Sequence, residues 1–162
     1  TSPDKPLDFT GALHTYFACA SSSAVQVHGL EGIGYENSAA GGAQEVQDAP
    51  TLAFRGETDR IYFGTPSELY LSDVGADRRH LKVLKMGFPD AVAWNIGGEK
   101  AASLKDLANG EWQQYVCLEA ALVGKPYKLA PGASYCAGQT FTAGVALPDA
   151  KKKKKVAAVG VS

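Results

Sequence analysis

Short stretches of alternating apolar and polar residues run through this chain, and glycine or proline separates one from the next. Val25-Gln26-Val27-His28-Gly29-Leu30 and His80-Leu81-Lys82-Val83-Leu84-Lys85 alternate with the two-residue period of a half-buried strand. Arg60-Ile61-Tyr62-Phe63 and Leu69-Tyr70-Leu71 flank Gly64-Thr65-Pro66, which predicts strand, turn and strand. Ala91-Val92-Ala93-Trp94-Asn95 predicts a more buried strand, and Tyr115-Val116-Cys117-Leu118-Glu119 an apolar run that ends on a carboxylate. From Tyr135 to Thr142, Tyr135, Ala137, Gln139 and Phe141 share one face, with Cys136, Gly138, Thr140 and Thr142 on the other. Glu99 to Leu107 is rich in good helix formers and predicts a single short helix that stops near Asn109-Gly110. Ser38 to Pro50, small and polar, predicts a loop. Strands about every ten residues with one minor helix point to an all-β sandwich or barrel.

The 162 residues suit one domain, and 45% apolar with 20% charged residues is a globular composition. The longest apolar runs are too short for a transmembrane helix. The net charge of −1 conceals an asymmetry: Lys151–Lys155 sit near the end with no acid beside them, so residues 1–150 carry 11 basic and 17 acidic side chains. An acidic body argues against a nucleic-acid-binding surface. The lysine run reads as a solvated tail, with contact to an anionic membrane surface or RNA as the alternative. Cys19, Cys117 and Cys136 are far apart and odd in number, which predicts no disulfide framework, no zinc site and a reducing, intracellular compartment. The polar, proline-bearing opening at Thr1 carries neither an initiator Met nor a signal peptide and suggests sequence missing upstream.

Several motifs fail. Gly29-Leu30-Glu31-Gly32-Ile33-Gly34 has the spacing G-x-x-G-x-G, follows a strand and opens no helix, so it predicts no dinucleotide site. There is no P-loop and no G-x-S-x-G nucleophile elbow, and His14, His28 and His80 lack metal-ligand spacing. Two positions carry chemistry. Phe9 to Phe17 places His14 in an apolar, aromatic strand, and Val116 to Ala121 does the same with Glu119. A buried carboxylate shifts its pKa or finds a partner, and one His and one Glu facing a shared cavity make an acid–base pair. The alternative is a core histidine bonded to backbone and a strand-end glutamate in solvent.

The segment Leu7-Asp8-Phe9-Thr10-Gly11-Ala12-Leu13-His14-Thr15-Tyr16-Phe17 resembles the histidine strand of the hexose-6-phosphate mutarotases. These are the glucose-6-phosphate 1-epimerases, the apospory-associated protein C-like branch of the aldose 1-epimerase family. Further matches follow in the family's order. They are Val25–Leu30 with Gly32 and Tyr35, Glu57-Thr58-Asp59-Arg60-Ile61-Tyr62, Gly87-Phe88-Pro89-Asp90-Ala91-Val92-Ala93-Trp94-Asn95 with Glu99-Lys100-Ala101, Val116-Cys117-Leu118-Glu119, and Leu129-Ala130-Pro131-Gly132. The resemblance implies that residues 1–147 are the C-terminal portion of a galactose-mutarotase-like β-sandwich (supersandwich), with 148–162 as the lysine-rich tail. It implies interconversion of the α and β anomers of a hexose 6-phosphate, with Glu119 as base on the C1 hydroxyl, His14 as acid on the ring oxygen, and no cofactor or metal. Asp59 would bind a sugar hydroxyl or orient His14, the alternative being an ion pair with Arg60; Trp94 would stack on the sugar or belong to the core. The family's phosphate-binding arginines lie in a first half that this chain lacks. The expectation is therefore a fragment inactive alone, completed by that half or by a partner chain, in the cytosol or plastid stroma. The chain departs from the family at Ile96, after Trp94-Asn95, where the family has proline, and at Asn37, where it has an acid. A non-catalytic scaffold subunit that reuses the fold is the competing reading.

Overall fold

The structure, a computed structural model, describes residues 3–148. The lysine run Lys151–Lys155 and the tail reading attached to it lie outside the described residues. Among the described residues, twelve strands form two antiparallel sheets: β1 (Leu7–Leu13), β2 (Tyr16–Ala18), β3 (Gln26–His28), β4 (Gly34–Asn37), β5 (Ala43–Val46), β6 (Thr51–Ala53), β7 (Thr58–Tyr62), β8 (Glu68–Val74), β9 (Arg79–Met86), β10 (Asp90–Asn95), β11 (Tyr115–Leu129) and β12 (Gly138–Ala143). The first sheet runs β1-β11-β10-β7-β4-β5, with β2 also paired to β11; the second runs β12-β9-β8-β3-β6. The expected all-β sandwich with one short helix, α1 (Gly97–Ala101), is what folds.

Alternation decides what lies between the sheets. Tyr62, Ala91, Ala93, Val116 and Leu118 of the first sheet meet Val27, Leu69, Leu71 and Val83 of the second, all at 0% exposure. The residues between them in sequence, among them Asp59, Trp94, Cys117 and Glu119, therefore stand on the opposite face of the first sheet, the one turned away from the core.

Local chemistry overrode four expectations. The stretch Ser38–Pro50 is not a loop throughout. Its residues 43–46 form β5, an edge strand whose side chains are all exposed, so no apolar period marks it; Gly41 (φ 73°) and Gly42 (φ 85°) turn the chain into it. The helix expected from Glu99 to Leu107 is only Gly97–Ala101. Beyond it, Ser103 places both its amide and its hydroxyl on the Lys100 carbonyl, and Leu104 N bonds Ala101 O, which tightens the chain into a turn. Glu119 does not end its strand, since β11 continues ten residues further. His14 is not inside a strand: it sits with Thr15 in the link between β1 and β2.

Asn95, fully buried, organises the approach to β11. Its amide donates to Trp112 O (2.9 Å) and Tyr115 O (2.8 Å), and its Oδ1 accepts from Gly97 N (3.0 Å). Gly97 has φ 70°, and a Cβ there would lie 2.4 Å from Glu57 N. Left-handed backbone and backbone overlap both oppose a side chain. Gly97→Ala should therefore cost about 2–4 kcal/mol, read as a lowered urea midpoint with unchanged m-value.

Candidate active site

β11 has β10 along one side, but its other neighbour is interrupted. β1 covers it up to Leu13↔Ala120, and β2 resumes at Tyr16↔Cys117. The two residues of the break, His14 and Thr15, thus lie opposite Leu118 and Glu119. The register is the same on both sides of the break, so His14 falls opposite Glu119, and His14 Nδ1 stands 3.2 Å from Glu119 Oε1. The two side chains differ in exposure, 49% for His14 and 7% for Glu119. Burial pushes the Glu119 carboxyl above the usual carboxylate range. The neighbouring imidazole works against that shift, and the Asp59 carboxylate adds to it. A carboxylate that binds its proton more readily than an ordinary glutamate, touching a solvent-open imidazole, is suited to passing protons to and from one bound molecule.

Aromatic rings wall this pair. Tyr16 lies parallel to the His14 imidazole, with centroids 4.8 Å apart and 6° between planes. Trp94 meets the imidazole edge-on at 5.6 Å, and Tyr115 completes the group against Tyr16 (5.2 Å) and Trp94 (6.2 Å). Trp94 is half-buried in this outer-face cluster and belongs to neither the inter-sheet core nor open solvent. Cys117, at 0% exposure, lies beneath the rings on the Glu119 face, and burial drives its thiol pKa upward. Tyr16 and Tyr115 were the residues missed in the sequence; each stands two positions from a residue of this face, His14 or Cys117, and that spacing was the available signal.

Asp59 stands in register with Trp94 on β7, on the same face as Glu119 and two strands away. Burial raises its carboxyl pKa, Glu57 adds to the rise, and Lys100 opposes it. Arg60 is no partner for Asp59. It points to the other face, where its guanidinium donates to Gln47 Oε1 (3.1 Å) and lies 4.7 Å over the Tyr35 ring. Asn37, in register with Arg60, likewise faces away from Glu119 and donates to Glu45 Oε1 at 2.9 Å. His28 is remote from this face, with Nε2 3.3 Å from Ser72 Oγ in the second sheet. Among the described residues no group of three or more His, Cys, Asp or Glu could hold a metal ion, and no helix is long and apolar enough to cross a membrane.

The family model of aldose 1-epimerases matches residues 1–142. The chain belongs to the aldose 1-epimerase family. Among curated relatives of this epimerase-family chain, a protein of Cenchrus ciliaris provisionally named glucose-6-phosphate 1-epimerase is 32% identical over 148 residues, 83% of this chain and 45% of the relative. An Escherichia coli (strain K12) protein with the same provisional name is 28% identical over 120 residues, 74% of this chain and 40% of the relative. The chain thus spans less than half the length of these relatives. Its fold matches the crystal structure of YeaD from Salmonella typhimurium, provisionally named a mutarotase. That match has a TM-score of 0.79 and 22% identity, and it covers 86% of this chain and 46% of that one.

Proposed function

We propose that this chain carries the acid–base centre of a hexose 6-phosphate mutarotase, with Glu119 and His14 as the catalytic residues and Asp59 and Trp94 as sugar contacts. The 3.2 Å pair of a buried carboxylate and an open imidazole carries the reading. In the ring-opening direction Glu119 takes the proton of the C1 hydroxyl. The C1–O bond becomes a carbonyl, the bond from C1 to the ring oxygen breaks, and the ring oxygen takes a proton from His14 Nε2. Rotation about C1–C2 presents either face of the carbonyl. For closure His14 removes the proton from the C5 hydroxyl, that oxygen attacks C1, and the new C1 oxygen recovers its proton from Glu119. Nothing is consumed, and no cofactor enters. Asp59 accepts hydrogen bonds from sugar hydroxyls, and the face of Trp94 lies along the apolar side of the ring.

The 6-phosphate is bound by the part of the protein represented in the relatives' remaining length. Under half of that length is present here, and this observation favours the second reading, a scaffold subunit without turnover. The two are separated by exchange NMR on the anomers of glucose 6-phosphate, with the chain alone and with the chain joined to the remaining portion of the Cenchrus ciliaris relative. Exchange above the spontaneous rate in the joined protein, lost in His14→Ala and Glu119→Gln, supports the mutarotase. Joined protein and variants all at the spontaneous rate leave the scaffold.

The raised carboxyl pKa has a sign. Activity needs Glu119 ionised, so kcat/KM falls as pH drops through the Glu119 pKa of the free protein. Burial places that fall above the range of an ordinary glutamate. A rate profile between about pH 4 and 8 should show its acidic limb displaced upward from the usual carboxylate position, and an unshifted limb would remove Glu119 as the base.

A further inference from the structure

We infer that Gln139, on β12 of the second sheet, is a positioning residue for His14, acting through Thr15; the inference rests on the mutarotase reading for its kinetic consequence but not for its geometry. Gln139 Nε2 donates to Thr15 Oγ1 at 2.5 Å, across 124 positions of sequence. Thr15 in turn donates its hydroxyl proton to Leu13 O at 3.2 Å. A threonine has a single hydroxyl proton, so Thr15 can only accept from Gln139. This fixes the amide: the NH2 faces Thr15, and Oε1 is left buried without a partner. An unpaired buried acceptor is costly and finds no offset within β12 itself.

The cost falls beside the break between β1 and β2 in the first sheet. Leu13, His14 and Thr15 are where β1 gives way to β2, and the register common to both strands sets His14 opposite Glu119 within this break. Thr15 has no ladder partner there, so the bond to Gln139 ties the link to the second sheet. A second contact lies two residues on: Phe141 meets Phe17 edge-on at 5.3 Å, one residue beyond Tyr16. Gln139 and Phe141 share the β12 face identified from the two-residue period. That face thus grips both ends of a short segment, Thr15 and Phe17, whose middle residue Tyr16 is stacked on the imidazole. A displacement near 1 Å at a catalytic group can lower a rate by up to about 100-fold. A latch on the residue next to His14 is placed to prevent one.

The test is Gln139→Leu, which keeps similar volume, removes the donor and also removes the orphaned acceptor. A role in stability alone predicts a change in melting temperature and nothing at His14. The positioning role predicts melting unchanged or slightly raised, while the His14 ring protons, shifted upfield by the stacked Tyr16 in the wild-type chain, move toward their free-imidazole positions. Thr15→Val should move them the same way, and the double variant no further than either single one. In the joined protein, kcat should fall about tenfold with KM little changed. If wild type does not exchange anomers, the mutarotase reading fails and the NMR comparison still decides the latch. His14 resonances unmoved in Gln139→Leu would overturn it.

Discussion

Glu119→Gln should lower kcat for anomer exchange by about 10²–10⁴-fold, the range a positioned acid–base group supplies. The amide keeps the shape of a side chain that is 7% exposed and can still accept from the imidazole, so packing around it persists. What it cannot do is take the C1 hydroxyl proton. The same substitution should leave the fold as stable or more stable at neutral pH. Burial raises the Glu119 pKa, so the folded chain holds that proton more tightly than the unfolded one. Between the two pKa values the folded state binds more protons, and the Glu119 contribution to stability declines as pH rises through that window. A glutamine does not titrate and escapes the decline. Loss of exchange in parallel with a lowered urea midpoint would mean that Glu119 serves the fold rather than the reaction. His14→Ala should match the loss, and the double variant should lose little more, because in the proposed mechanism the two groups act as one unit.

The strands with an inward apolar period are legible in the spacing of the chain. Val83 alternates with exposed or half-buried neighbours along β9, and Ala91, Ala93 and Asn95 alternate along β10, so their faces follow from spacing alone. β5 could not be read that way. All four of its side chains meet solvent, and only hydrogen bonds to β4 make it a strand. The interruption at His14 was also hidden. Thr10, Thr15 and the aromatic residues around them have a strand-like composition, and the break shows only in the pairing of β11 with two separate strands on that side. The Glu119–His14 pairing was therefore expected from residue type and family likeness, while its geometry comes from the register that β1 and β2 share on β11, which no local pattern announces. The placement of Asp59 and Trp94 on the same face follows from their register across β7 and β10, a long-range fact. Lys85 and Asp90 are not marked by any local pattern, since each sits in an otherwise ordinary strand end and its partners are backbone groups together with the Thr65 hydroxyl, all distant in sequence or in the adjoining turn.

Those two residues carry the largest expected effect on stability. Between Phe9↔Tyr127 and Gly11↔Leu122 the β1–β11 register jumps, so β11 bulges over residues 123–126. A bulge leaves amides without ladder partners. Asp90, 4% exposed, supplies them: Oδ2 accepts from Val123 N (3.0 Å) and Gly124 N (2.8 Å), and Oδ1 from Gly64 N (3.1 Å). Beneath it Lys85 Nζ, 3% exposed as a residue, donates to Thr65 Oγ1 (2.6 Å), Phe88 O (3.0 Å) and Asp90 O (2.9 Å), bracing the second sheet against the first. Asp90→Asn replaces one carboxylate oxygen by a donor. Whichever way the amide turns, it either aims N–H at N–H or gives up the bulge, and it withdraws the negative charge that supports the buried ammonium. The expected cost is about 3–5 kcal/mol, the range for breaking a buried charged network from one side. Lys85 adds a pH signature. Burial lowers its pKa to about 8, so above that pH the folded chain has released a proton that the unfolded chain still holds, and stability gained from this group rises with pH until the unfolded lysine titrates too. Urea midpoints at about pH 8 and 10 should therefore climb in wild type relative to Lys85→Met, which has no proton to release. An Asp90→Asn chain that unfolds at the wild-type urea concentration would show that the bulge amides are satisfied without the carboxylate.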